Sequence, residues 1–166
     1  MIPNREREKK TRSDYDEPDV QSGVPIARLN RKILQRLAES KLEEGRILLA
    51  NDQWTGAYYL TGLAVECALK ACLARAVKKH DYPDKDFVKD MYQHKLQNLI
   101  GLDAALSAAL RADMATDSKL AANWNTVKDW KDEKRYDVVD EQEARGLYDA
   151  ATKRVSGVMP WIRRRW

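Results

Sequence analysis

The stretch WTGAYYLTGLAVECALKACLARAVKKH, residues 54–80, is apolar or small on nearly every side when wound as a helix, yet it carries Glu66 and Lys70 one turn apart. A helix of that kind is buried by other helices. Thr55, Gly56, Ala57, Gly62, Ala64, Ala68 and Ala71 keep its outline narrow, so a neighbouring backbone can approach closely. Charges inside such a helix must be paired or used. Glu66 precedes Lys70 at i,i+4, the favourable order, which predicts a packed ion pair orienting helices or a dimer seam. The functional alternative makes Glu66 part of a polar pocket between protomers. Lys78, Lys79 and His80 in the last turn, followed by Asp81, Tyr82 and Pro83, predict a helix end near His80.

Working outward, a first helix is expected from an Asn30 cap to about Ala50, with Ile33, Leu34, Leu37, Leu42, Ile47, Leu48 and Leu49 as its apolar stripe. The connection at Asn51 and Asp52 is so short that the two helices must be antiparallel, with Asp52 the expected cap of the second. Residues 81–92 read as a connection of mixed polarity. Leu96, Leu99, Ile100 and Leu102 begin a short helix stopped near Gly101, followed by an Ala-rich helix from Asp103 to about Met114. Another helix starts at Asp117 or Ser118 and reaches about Glu133. Asp140 caps the last, with Leu147, Tyr148, Ala151 and Val155 facing inward and Pro160 kinking or ending it. Residues 1–27, charged and broken by Pro3, Pro18, Gly23 and Pro25, read as a flexible arm, and residues 28–166 as one helical bundle.

Composition agrees with an all-α domain. Ala and Leu dominate the apolar residues and there is a single Phe among 166 residues, a bias towards helix over sheet. The formal charge is +4, but removing the +3 of residues 1–12 and the +3 of Arg163–Arg165 leaves −2 for the body. Attraction to phosphate would come from the tails or from a local patch. Cys67 and Cys72 point roughly 140° apart on one helix and cannot bridge each other, which fits small buried thiols in a reducing cytoplasm. No metal-ligand spacing, nucleophile triad or glycine-rich phosphate loop is present, so neither cofactor nor metal is expected. The charged N-terminus has no apolar run behind it, and Glu66, Lys70 and Arg75 interrupt the one long apolar helix. The reading is a soluble, cytoplasmic protein without a membrane span.

GAYYLTGLAVECALKA at Gly56–Ala71, HKLQNL at His94–Leu99, WKDEKRY at Trp130–Tyr136 and the closing Trp161-Ile162 together resemble the HEPN superfamily over about residues 30–162. The resemblance implies an antiparallel four- to five-helix bundle that dimerises. Many HEPN members are metal-independent RNases of toxin–antitoxin or antiviral systems, while others bind nucleotides or RNA or have lost catalysis. Active members carry Arg-x(4–6)-His, in which arginine stabilises charge on the phosphate and histidine moves the proton of the attacking 2′-hydroxyl. Arg75 and His80 have that spacing here. Ala76 stands where active members place a polar residue, and the pair ends the second helix instead of lying on a later one, which argues against robust RNase activity. The competing reading of the same residues is a basic helix end that complements the helix dipole.

Two further groups suit phosphate or nucleotide. Arg135-Tyr136 follows Trp130 closely, either as a guanidinium stacked on an aromatic ring or as a nucleotide or RNA site. Trp161 and Trp166 flank Arg163, Arg164 and Arg165, a combination suited to bases and phosphates, to a frayed terminus, or to a partner surface. The expectation is a homodimeric, nucleotide- or RNA-associated module of a prokaryotic defence or toxin–antitoxin type system. Its rivals are a non-catalytic scaffold that binds a partner protein and an RNase using Arg75 and His80.

Overall fold

The computed structural model describes residues 29–77 and 84–166, and within them the chain is all-helical. The N-terminal arm and His80 lie outside the described residues. Eight α-helices and one 3-10 helix follow in order: α1 (Arg31–Ala50), α2 (Trp54–Ala76), α3 (Lys85–Met91), α4 (Leu96–Gly101), α5 (Ala104–Thr116), α6 (Ser118–Lys128), the 3-10 turn (Asp132–Tyr136), α7 (Glu141–Thr152) and α8 (Val158–Arg163). Five of these are longer than two turns and three are shorter, an arrangement compatible with a helical bundle.

The pairing of α1 with α2 organises the rest. Leu48 meets Gly56, Gly45 meets Thr61, and Leu34 shares a groove with Lys70, so numbers rise along one helix as they fall along the other. The helices are therefore antiparallel, as their short connection requires. Their closeness depends on small residues: a Cβ at Gly45 would stand 2.9 Å from the Thr61 hydroxyl, which itself donates to the Ala57 carbonyl at 2.7 Å. Helix α2 is the centre of the fold and packs against α1, α4, α7, α8 and the 3-10 turn. By length and composition it could cross a membrane, but 72% of its most apolar window is buried within the fold.

Side-chain oxygens define most helix starts. Asn30, Asp103 and Asp140 each accept from a backbone N–H three residues on, and Asp117 accepts from Lys119 and Leu120. Longer ties close the bundle. The buried Asn123 amide donates to the Ser156 carbonyl at 2.8 Å, the Val139 N–H donates to the Thr55 hydroxyl at 3.1 Å, and the Trp161 indole N–H donates to Asp113 at 2.8 Å.

Several expectations from sequence are corrected. Asp52 does not cap α2 but takes a left-handed φ of 59° in the turn, and Gln53 precedes the helix without a side-chain cap bond. Helix α2 ends at Ala76, short of His80, and the supposed connection at 81–92 contains α3, begun by Asp84 accepting from Asp86 and Phe87. Helix α6 stops at Lys128 instead of near Glu133, which lets Trp130 fold back onto α2. Helix α7 stops at Thr152, so Val155 lies outside it and is 79% exposed. Pro160 neither ends nor kinks α7. It occupies the first turn of α8, where its missing N–H has no helical partner to lose.

Candidate functional site

Three groups of polar side chains converge from different elements. The first lies at the C-terminal end of α2. Arg75 is exposed there, and its guanidinium Nη1 donates to the Arg165 carbonyl at 3.0 Å, 90 residues further along. With Arg164, Arg165, Asp103 and Cys72 it lines a groove of about 370 Å³ between α2, the start of α5 and the C-terminus. Three arginines thus line the groove with one aspartate, whose carboxylate accepts from the Leu106 N–H at 2.9 Å as the cap of α5.

The C-terminal segment reaches this groove because it is folded. Trp161 and Ile162 are buried, Arg163 makes a bidentate pair with Glu39 at 2.6 and 2.7 Å, and Arg165 binds Asp113 at 2.6 Å with its guanidinium 4.0 Å from the Trp161 ring centre. A frayed terminus is thereby excluded up to Arg165. Arg164 is exposed and makes no ion pair among the described residues. Cys72 is no nucleophile for this groove: burial, with Asp103 adding to it, pushes its thiol up to about 11. Burial likewise pushes the Cys67 thiol up to about 11, with Glu66 adding to it.

The second group is centred on Glu66. Its carboxylate is buried in mid-α2, with Oε1 accepting from Lys70 Nζ at 2.7 Å and Oε2 paired with His94 Nδ1 at 3.0 Å. The i,i+4 pair read from sequence is present, and both its side chains are largely withdrawn from water. His94, on the segment between α3 and α4, is the member that spacing missed. It lies 28 residues away and no local pattern connects it to Glu66.

The third group joins the 3-10 turn to α2. Arg135 lies over the Tyr136 ring at 4.9 Å from its centre and places Nη1 3.5 Å from the Tyr59 hydroxyl, with Asp132 at 3.8 Å. The stacked reading of Arg135-Tyr136 therefore holds, and Tyr136 remains 79% exposed. Tyr59 in turn leans on Trp130, ring centres 6.1 Å apart. Trp130 is buried against Gly62, and its indole N–H has no hydrogen-bond partner among the described residues.

A further cavity, about 680 Å³ between α2, α6 and α7, mixes Lys131 and Lys134 with Asp129, Asp140 and Glu143. Its charges largely answer one another: Lys134 pairs with Glu143 at 3.3 Å and Asp140 caps α7. Among the described residues no cluster of His, Cys, Asp and Glu is arranged to hold a metal ion. Arg75, Glu66 with Lys70, and Arg135 with Tyr136 belong to three separate groups. Comparison with protein-family models, characterised proteins and solved structures finds no match to this chain.

Proposed function

We propose that this chain is a HEPN-like module that associates with RNA or nucleotides through phosphate contacts at the groove lined by Arg75, Arg164 and Arg165, without robust RNase activity. The observation that carries the reading is an open groove lined by three arginines and a single aspartate. Arginine binds phosphate well because its planar fork stays charged and presents several N–H donors. Arg75 and Arg164 hold most of the unused capacity, since Arg165 already engages Asp113 and the Trp161 carbonyl. The resemblance supplies the biological setting, a cytoplasmic, homodimeric component of a prokaryotic defence or toxin–antitoxin type system.

The test is fluorescence anisotropy of a labelled single-stranded RNA across a salt series. Each phosphate contact contributes about −0.7 to the slope of log K against log salt for single strands, so Arg75→Ala with Arg164→Ala should flatten it by about 1.4. Binding insensitive to salt and to both substitutions refutes the reading. It would favour a protein-binding scaffold instead, for which the exposed Tyr136 and Val138 offer an apolar edge. Metal-free RNA cleavage that disappears in His80→Ala would replace association with catalysis by Arg75 and His80.

A further inference from the structure

We propose that the cavity between α2, α6 and α7 is a second binding site, one that takes a small zwitterion of the amino-acid class. Three of the charged side chains on its wall are answered by neighbours, Glu143 with Lys134 at 3.3 Å and Asp129 with Lys128 at 2.8 Å. Lys131 and Asp140 are not. Neither makes an ion pair among the described residues, with the other or with anything else, although Asp140 spends Oδ1 on the Glu143 N–H as the cap of α7. A carboxylate has acceptor sites beyond one such bond, and an ammonium carries three donors. One carboxylate and one ammonium left over on the same wall are complemented by a molecule that carries one of each.

Tyr58 is the independent observation that points to a ligand. It is 6% exposed and lines the cavity from α2, and its hydroxyl makes no hydrogen bond among the described residues. A buried hydroxyl is costly to leave unpaired, and a polar molecule in the cavity recovers that cost. Burial, with Glu143 and Asp129 adding to it, pushes the hydroxyl up to about 12, so at neutral pH it is a phenol that can donate one hydrogen bond and accept another. The space suits the ligand. At about 680 Å³ it equals the volume of roughly twenty waters, and a Cβ built on Gly146 of the α7 wall meets nothing within 4 Å. The site shares no residue with the arginine groove and does not rest on the RNA reading.

The experiment is calorimetric titration of the full chain at neutral pH with L-glutamine and 4-aminobutyrate, and with butylamine and butyrate as the two charged halves of the latter. Saturable binding of either zwitterion, at least about tenfold tighter than butylamine or butyrate, supports the site and says which separation of charges it takes. Tyr58→Phe removes only the hydroxyl, Lys131→Ala removes an exposed ammonium without an ionic partner among the described residues, and Asp140→Asn keeps a side chain that can cap α7. Each should weaken binding about tenfold. Gly146→Leu fills the cavity from its open wall and should abolish binding without lowering the urea midpoint, since glycine is a poor helix residue. It keeps the question answerable if Tyr58→Phe fails to fold. Absence of saturable binding by both zwitterions overturns the proposal, as does equal binding of butylamine or butyrate, or binding that survives Gly146→Leu. Loss of binding in Arg75→Ala would assign the carboxylate to the arginine groove and overturn it as well.

Discussion

Gly62→Ala places one methyl group where the structure has no room for it. An ideal Cβ at that position falls 2.1, 2.2 and 2.3 Å from Nε1, Cε2 and Cδ1 of Trp130, whereas nonbonded carbon atoms settle at about 3.5 to 4.0 Å. The indole would have to move by more than about 1 Å. It is 2% exposed and Tyr59 stands beside it, so the movement must propagate into the packing of the 3-10 turn on α2. We expect a loss near the top of the overpacking range, about 3 kcal/mol, and a fall in Tm of roughly 10 °C at this chain length. Urea unfolding read by circular dichroism and tryptophan fluorescence gives the number. Trp130→Leu alone should cost about 3 kcal/mol through the cavity it opens, but it also makes space for the methyl group. The double variant should therefore be more stable than the sum of the singles allows, by more than about 1 kcal/mol. A Gly62→Ala protein within about 0.5 kcal/mol of the parent, or strict additivity in the double variant, would refute the reasoning.

Lys70→Met should destabilise by about 3 kcal/mol in the same assay, because it leaves the buried Glu66 carboxylate with the half-exposed His94 alone, while Glu66→Gln should cost less. Alkaline stability gives an independent check: burial pushes Tyr58 up to about 12, with Glu143 and Asp129 adding to it, and pushes both thiols up to about 11. The folded state then holds protons that the unfolded chain has released. Stability should be full below pH 9, fall through pH 9 to 11 as the thiols titrate and continue falling towards pH 12. Cys67→Ala with Cys72→Ala should remove the first phase, and an unchanged urea midpoint from pH 8 to 11 would contradict the assignment. Asp113→Ala should cost about 1 to 2 kcal/mol by stripping a partner from the buried Trp161 indole, whereas Arg163→Ala, losing an exposed pair with Glu39, should cost less than about 1 kcal/mol. Equal losses in the two variants would contradict that ranking.

What was legible in the sequence was whatever is decided locally. Asn30, Asp103, Asp117 and Asp140 were readable as helix starts because each bond is made within three residues of the side chain. Helix α3 was not, because it buries no side chain and so leaves no apolar periodicity to read. Trp130 and Val155 were misplaced for a related reason. A helical pattern continues on paper past the point where the chain turns, and the turns are set by contacts from elsewhere. Trp130 is drawn onto the gap left by Gly62, and the turn after α7 closes at Gly157, where a Cβ would come within 2.4 Å of the Lys153 carbonyl. The site divides in the same way. Glu66 with Lys70 is a spacing within one helix, whereas His94 and the Arg75 contact to Arg165 exist only because distant elements meet.

Charge shows why position along the chain is a poor guide to where electrostatic work is done. Treating residues 1–12 and Arg163–Arg165 as tails leaves a body with a charge of −2, which on its own suggests no attraction to phosphate. The structure makes that division artificial, since Trp161 and Ile162 anchor the segment within the core and bring its arginines beside Arg75. Once folded in, the three arginines are no longer equivalent. Arg163 is matched by Glu39 and Arg165 by Asp113, so each largely serves to hold the segment down. Arg164 lies between them without a carboxylate partner among the described residues and opens onto the groove that Arg75 enters from α2. Two paired arginines therefore position the third, and the local field at the groove is set by Arg164 and Arg75 against the capping carboxylate of Asp103, whatever the net charge of the chain.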